Sequence, residues 1–128
     1  MSAAAMVAES LRRSGQKGVF EDPPSALACS EPIVVADAGW RSCTTSVGDG
    51  MRGTALASVL VCRDRARDAR IRCEAAESAI RQTRWGSYAF AGDWSAAACA
   101  TTPPEPKGRD GSGRWLWGFD VELTMKRG

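Results

Sequence analysis

Residues 115–126 have the sequence WLWGFDVELTMK, in which large apolar side chains occupy every second position. The apolar positions are Trp115, Trp117, Phe119, Val121, Leu123 and Met125. Successive side chains of a β-strand point to opposite faces of the sheet, so this period of two predicts a strand with one buried face. We therefore predict a C-terminal β-strand over about 115–126.

A lone strand is not stable, because it needs neighbours that satisfy its backbone hydrogen bonds and cover its apolar face. Two short segments, residues 33–36 and 87–90, contain the β-branched or aromatic residues expected of partner strands. The sequence thus favours a small antiparallel sheet. Self-association through the C-terminal strand is the alternative, since an unpaired apolar strand is an edge that other chains can join.

The stretch from 54 to 84 contains neither proline nor glycine and predicts one long α-helix. Thr54 is a suitable N-cap, and Gly86 follows the expected end. Small or apolar residues recur at alternating spacings of four and three, at Ala55, Val59, Cys62, Ala66, Ala69, Cys73, Ala76 and Ile80. Only Val59 and Ile80 in this row are large, so we expect the helix to form more readily than it packs.

These elements predict an α+β fold of low order, with one long Ala/Arg-rich helix, the C-terminal strand in a small antiparallel sheet, and extensive coil. The expected divisions are a flexible N-terminal segment with a short helix (1–32), a helix-containing core (33–100), a Pro/Gly-rich linker (101–114) and the C-terminal strand (115–128). Leu, Ile, Val and Phe together number 20 of 128 residues, below the roughly 20% at which a globular core becomes doubtful. We expect a loose core without a rigid pocket.

The absence of histidine excludes imidazole bases, Ser–His and Cys–His nucleophile pairs and histidine metal ligands. No nucleophile elbow, phosphate-binding loop or zinc-protease motif is present in the sequence. The five cysteines are far apart, without the close-spaced pairs typical of zinc sites. We predict that the protein is not an enzyme and has no catalytic residue, cofactor or metal.

Residues 48–53, GDGMRG, match the glycine spacing of a dinucleotide-binding fingerprint. That fingerprint requires a buried parallel strand before the first glycine and a helix after the last one. The preceding residues 41–46, RSCTTS, are polar and predict a loop. Nucleotide binding at this turn is therefore a weak alternative to a plain glycine turn that caps the predicted helix.

Arginines are dense around the predicted helix, at positions 63, 65, 67, 70 and 72. On a helix, Arg63, Arg67 and Arg70 would share a face and could contact the phosphates of RNA. The competing interpretation is a solvated face of mixed charge, since Asp64 and Asp68 lie among them. Nucleic-acid binding through this face is the first alternative function.

No apolar run approaches the 18 to 20 or so residues of a membrane span, and the N-terminus lacks the pattern of a secretory signal. We therefore expect an intracellular protein. Residues 2–14 predict an amphipathic helix, with Ala4, Val7, Ala8 and Leu11 on one face. Such a helix also occurs in organelle transit peptides, so targeting is the alternative to a simple terminal helix.

The residues do not specify a function. The favoured interpretation is a small lineage-restricted protein, or a reading frame never selected to fold, without catalytic activity.

Overall fold

A mixed β-sheet with two helices is the architecture of the computed structural model, which describes residues 3–24, 29–46, 50–85 and 94–127. In chain order the elements are α1 (Ala3–Arg13), β1 (Val19–Phe20), β2 (Ile33–Ser46), β3 (Gly50–Arg63), α2 (Ala66–Arg81), β4 (Trp94–Thr101), β5 (Glu105–Arg109) and β6 (Trp115–Arg127). The predicted fold of one long helix and one C-terminal strand is therefore wrong.

The sheet has the strand order β1-β2-β3-β6-β4, and β5 also pairs with β6. β1 runs parallel to β2, and all the other pairs are antiparallel. β4 and β5 pair with successive parts of β6: Thr101 lies opposite Val121, and Glu105 lies opposite Gly118. β3 pairs with one edge of β6 along the whole of that strand. β4 and β5 therefore share the other edge of β6 and together form one interrupted outer strand.

The C-terminal strand is confirmed as β6, and its apolar face is turned to the core. Phe119, Val121, Leu123 and Met125 are at most 2% exposed, and Trp117 packs partly buried against them. β6 lies between β3 and the β4–β5 strand. Apart from Phe119 and Asp120, where β4 gives way to β5, its described length is thus paired on both sides, and it offers no free edge for the self-association that the sequence suggested.

The predicted helix over 54–84 is wrong in its first third, because residues 50–63 form strand β3. Ala55, Ala57, Val59 and Val61 of β3 are buried, whereas Thr54, Leu56, Ser58 and Leu60 between them are partly exposed. The segment therefore has a period of two as well as the helical spacing. Pairing with β2 on one side and β6 on the other decides in favour of the strand.

The second part of the prediction is confirmed in α2. Ala69, Cys73, Ala76 and Ile80, the predicted helical seam, are all completely buried. The helix ends at Arg81, three residues before the predicted end.

The strand predicted at residues 33–36 is confirmed as the first part of β2, but β2 continues to Ser46. Residues 41–46, predicted as loop, belong to this strand, in which Ser46 lies opposite Gly50 of β3. Polar residues extend the strand here because the hairpin partner satisfies their backbone groups. The other predicted partner, residues 87–90, lies outside the described residues.

Both helices pack on the same face of the sheet and enclose the core. Many of the inward positions are alanines, such as Ala55, Ala57, Ala69 and Ala76, each at most 4% exposed. Small side chains let the helices approach the sheet closely, so a core with few large residues still excludes water.

The N-terminal amphipathic helix is confirmed as α1, whose Val7 and Leu11 are completely buried. The backbone N–H of Ala4 donates a 3.0 Å hydrogen bond to Oδ1 of Asp37 in β2. Nη2 of Arg12 donates to the carbonyl of Val19 at 3.0 Å. Among the described residues, no helix has the length and apolar character needed to cross a membrane.

Candidate functional site

The sheet face opposite the helices carries aliphatic side chains, which we call the open-face patch: Val34, Leu56, Leu60 and Leu116. All four are partly exposed. Val34 lies opposite Leu60 in the register of β2 and β3. The solvated face of an antiparallel sheet is usually polar, so this patch marks a surface suited to contact with another apolar surface.

A hollow of about 190 Å³ lies within the patch. It is lined by Pro23, Pro24, Pro32, Val34, Leu60, Cys62, Asp110, Arg114 and Leu116. Most of these groups are apolar, and the charged ones belong to the turn between β5 and β6. The hollow is too small for a drug-sized ligand, since such pockets measure roughly 300–1,000 Å³.

The charged wall of the hollow is an internally paired turn. Nε of Arg114 donates to Oδ2 of Asp110 at 2.7 Å, and Nη1 of Arg114 donates to the carbonyl of Ser30 at 2.6 Å. The backbone N–H of Arg114 bonds to Oδ1 of Asp110, and these bonds hold the pKa of Asp110 below its ordinary value. The pair fixes the turn and leaves neither charge available for proton transfer.

The thiol of Cys62 faces this hollow and is only 5% exposed. Burial raises the pKa of Cys62 above its ordinary value, although Arg114 opposes the shift. A protonated thiol is a poor nucleophile. The geometry of the hollow therefore fits apolar contact better than chemistry.

The two outer strands of the sheet are unequally covered along their length. β1 pairs with the outer edge of β2 only at Ile33 and Val34. From Val35 to Ser46, no described strand lies against this edge. The outer edge of β4 also has no neighbouring strand in the described part of the chain.

β5 and the residues before it differ from β4 in containing prolines. Pro103 and Pro104 separate β4 from β5, and Pro106 lies within β5. Proline has no backbone N–H to offer a further strand, and it is a common means of blocking sheet edges. As far as the described ranges extend, both outer edges are thus covered or blocked by proline at the end of the sheet with β1 and β5, and have no strand neighbour at the end where Ser46 of β2 pairs with Gly50 of β3.

Two large side chains lie in the uncovered stretch of β2. Trp40 is 49% exposed and lies opposite Ala55, which places it on the helix-bearing face of the sheet. Arg41 forms an ion pair with Glu122 of β6 and so spans β3 on the other face. Aromatic and arginine side chains are enriched where proteins contact one another.

The three predicted nucleic-acid contacts do not share a helix face. Arg63 is the last residue of β3, and only Arg67 and Arg70 lie on α2, both exposed. Arg70 pairs with Glu74 at 3.7 Å. RNA binding by Arg67 and Arg70 stays a prediction, tested by filter binding: the Arg67→Ala/Arg70→Ala variant is expected to bind more weakly, with a shallower salt dependence.

Arg63 itself has a structural position. Its side chain is 11% exposed, and Nη1 donates to the carbonyls of Glu31 at 2.6 Å and Cys62 at 2.7 Å. Burial lowers the pKa of Arg63, and the nearby Glu31 carboxylate partly restores it. The guanidinium anchors the segment before β2 to the end of β3.

The glycine fingerprint at 48–53 lies partly outside the described residues, which omit 47–49. The described part, from Gly50 onward, is strand β3. The helix that a dinucleotide fingerprint requires after its last glycine is therefore replaced by a strand paired to β2.

Within the described ranges, no three histidine, cysteine or acidic side chains come together as a metal site. Cys73 of α2 and Cys99 of β4 face the core, where burial raises their pKa values to about 12 and about 11. These thiols stay protonated at neutral pH and contribute to packing.

Sequence reasoning missed the open-face patch and both open edges. The signal was present in residues 55–62, ALASVLVC, where alanine or valine occupies every second position. The alanines and valines face the core, and the residues between them lie on the open face of β3.

No protein-family model matches this sequence, and no curated protein is similar to it. Among solved structures, the chain resembles one from "Virion of native gene transfer agent (GTA) particle". The TM-score is 0.64 at 12% sequence identity, and the match covers 98% of this chain and 95% of that chain. At this identity the likeness establishes a shared fold.

Proposed function

We propose that the protein is a non-catalytic structural subunit that assembles with further copies of itself into a multi-subunit particle. The observation that carries this proposal is the sheet's uncovered surface: within the described residues, the outer edges of β4 and of β2 beyond Val34 have no strand neighbour, and one face carries aliphatic side chains. Exposed strand edges and apolar patches promote association unless they are blocked.

The structural likeness supports the proposal. It extends over nearly the whole of both chains, and the other chain belongs to a virion particle. The chemistry of the described residues supports it as well. The buried thiols have raised pKa values, and the charged groups beside the hollow are paired with one another.

Sedimentation velocity over a range of protein concentrations, followed by negative-stain electron microscopy, tests the proposal. We expect species several times larger than the 13.6 kDa chain, of uniform size or forming regular filaments. A single monomeric species at every concentration up to the solubility limit would overturn it. Amorphous aggregates without a regular form would also count against it.

A further inference from the structure

We infer that copies of this chain join head to tail, with the open edge of β2 in one copy pairing with the open edge of β4 in the next. This inference rests on the proposed function and names the contact by which the subunits assemble. Three properties of β2 and β4 support it: their directions, their heights along the sheet, and the parts of their outer edges that no described strand covers.

The strand directions permit this junction without any rearrangement. β2, β3, β6 and β4 are successively antiparallel, so β2 and β4 run in opposite directions within one sheet. A second copy displaced sideways along the sheet presents its β4 antiparallel to β2 of the first copy. The sheet would then continue from copy to copy with the same antiparallel hydrogen-bond pattern.

The open stretches also lie at the same level of the sheet. Following the register across the strands, Thr101 of β4 is level with Val121, Ala57 and Asp37. At the other end, Trp94 is level with Thr45 of β2 through Arg127 and Met51. The whole of β4 therefore has an uncovered stretch of β2 at its own height.

The junction cannot extend to the other end of the sheet, because both outer edges are obstructed there. There, β1 covers Ile33 and Val34 on one side, and Pro106 interrupts the other side. A two-fold dimer through β2 alone would leave β4 exposed in both copies. A head-to-tail contact covers both open edges with a single type of junction, and such contacts close into rings or continue as filaments.

Each outer strand has a bulge close to this level. In β4 the register shifts between Ala96 and Ala98, and in β2 it shifts between Asp37 and Gly39 and again between Trp40 and Ser42. Ala98 and Ser42 are level with each other through Thr124 and Thr54. Bulges bend and twist a strand, which is the curvature that a closed ring of sheets requires.

The junction also assigns a contact to Trp40. If the second copy is displaced sideways without a shift along the strands, Trp40 of one copy lies opposite Cys99 of the next, because both are level with Ala55 and Leu123. The two residues also lie on the same face of the sheet. The indole of one copy would then cover Cys99 of the next copy, whose side chain is partly exposed in the isolated chain. Large aromatic side chains buried in an interface often contribute much of its binding free energy.

Thiol cross-linking tests the junction. Ala36 of β2 and Ala100 of β4 are both exposed, lie on the open face, and are two positions apart in level. We expect the Ala36→Cys/Ala100→Cys variant, treated with a short bismaleimide, to form ladders of covalent oligomers. Wild type and the Ala36→Cys/Ala75→Cys variant are the controls, and we expect neither to form ladders, because Ala75 is an exposed residue of α2.

Substitution of the two exposed large apolar residues provides a second test. Trp40 is 49% exposed and Ile71 is 48% exposed, but Ile71 lies on α2, away from the edges. We expect Trp40→Ala to raise the dissociation constant of assembly by about tenfold or more, and Ile71→Ala to leave it within about twofold. Circular dichroism verifies that both variants are folded.

Dimers formed by Ala36→Cys alone would overturn the head-to-tail junction in favour of a symmetric one. Regular assembly of the wild type without ladders in the double-cysteine variant would also overturn it, while the proposed function would stand. A strictly monomeric wild type would instead overturn both.

Discussion

The hydroxyl of Thr101, at the end of β4, donates a 2.7 Å hydrogen bond to Oε1 of Glu77 on α2. The same oxygen accepts a 2.6 Å bond from Nε of Arg81, one turn further along the helix. Glu77 is 8% exposed and is one of the few polar residues in the core region. This carboxylate connects α2 to the outer strand that we assign to the subunit junction.

Replacing Glu77 with glutamine is expected to destabilise the fold by about 1–2 kcal/mol at neutral pH, because the buried carboxylate that accepts from Arg81 and Thr101 is replaced by a neutral, weaker acceptor. Burial alone would raise the pKa of Glu77, but the bonds from Arg81 and Thr101 hold it below the ordinary value of 4.5. Its charge therefore stabilises the folded state above that pH, and the stabilisation is lost as the pH falls below it.

Urea unfolding of wild type and Glu77→Gln between neutral pH and pH 3 measures this difference. We expect the two free energies of unfolding to converge in acid. Glu74→Gln is the matched control, since Glu74 is 59% exposed and pairs only loosely with Arg70. A pH-independent difference for Glu77→Gln would contradict the assigned role of the charge.

Gly118 is required by the close contact between β6 and β3. A Cβ atom at this position would lie 2.7 Å from the carbonyl oxygen of Val59, which is backbone and cannot move aside easily. We expect Gly118→Ala to destabilise the protein by about 1–3 kcal/mol in chemical denaturation. Gly111→Ala, with nothing within 4 Å of the added carbon, should be close to neutral. Equal stabilities of the two variants would show that β6 does not approach β3 as described.

Arg63 is expected to contribute to stability through its two short bonds to backbone carbonyls. Arg63→Ala removes the donor and leaves the carbonyls of Glu31 and Cys62 without it, at an expected cost of about 1–3 kcal/mol. Arg67→Ala, at an exposed position of α2, should change stability by less than about 0.5 kcal/mol. Thermal or urea unfolding of both variants measures the contrast, and a neutral Arg63→Ala would refute the anchoring role.

Cys73 and Cys99 are expected to resist alkylation in the folded protein. Their pKa values of about 12 and about 11 leave almost no thiolate at pH 8, and complete burial also excludes the reagent from Cys73. Mass spectrometry after brief iodoacetamide treatment should find both unmodified until denaturant is added, whereas the partly exposed Cys29 should react. Labelling of Cys73 in the native state would show that α2 does not pack on the sheet.

Some elements were predictable because their side-chain period has only one interpretation. The period of two in residues 115–126 fits a strand and no helix, and β6 formed there. Ala69, Cys73, Ala76 and Ile80 have helical spacing, and α2 buries them all. In both cases the local pattern and the tertiary environment favour the same structure.

The remaining errors have two physical causes. Residues 55–62 satisfy both periods, so the choice between helix and strand depended on partners that are distant in the sequence. Polar residues 41–46 form a strand because β3 supplies hydrogen bonds, which composition does not reveal. The open edges could not be predicted either, since an edge exists only once the strand order is known.

Hydrogen–deuterium exchange, followed by mass spectrometry on monomeric and assembled protein, is the most direct test of edge-to-edge assembly. Backbone amides that gain a partner strand exchange more slowly. We predict that assembly slows exchange in residues 35–46 and in residues 94–101 together, while peptides from β5 and α2 are unchanged. Regular assembly with unchanged exchange in either of those two stretches would contradict the account.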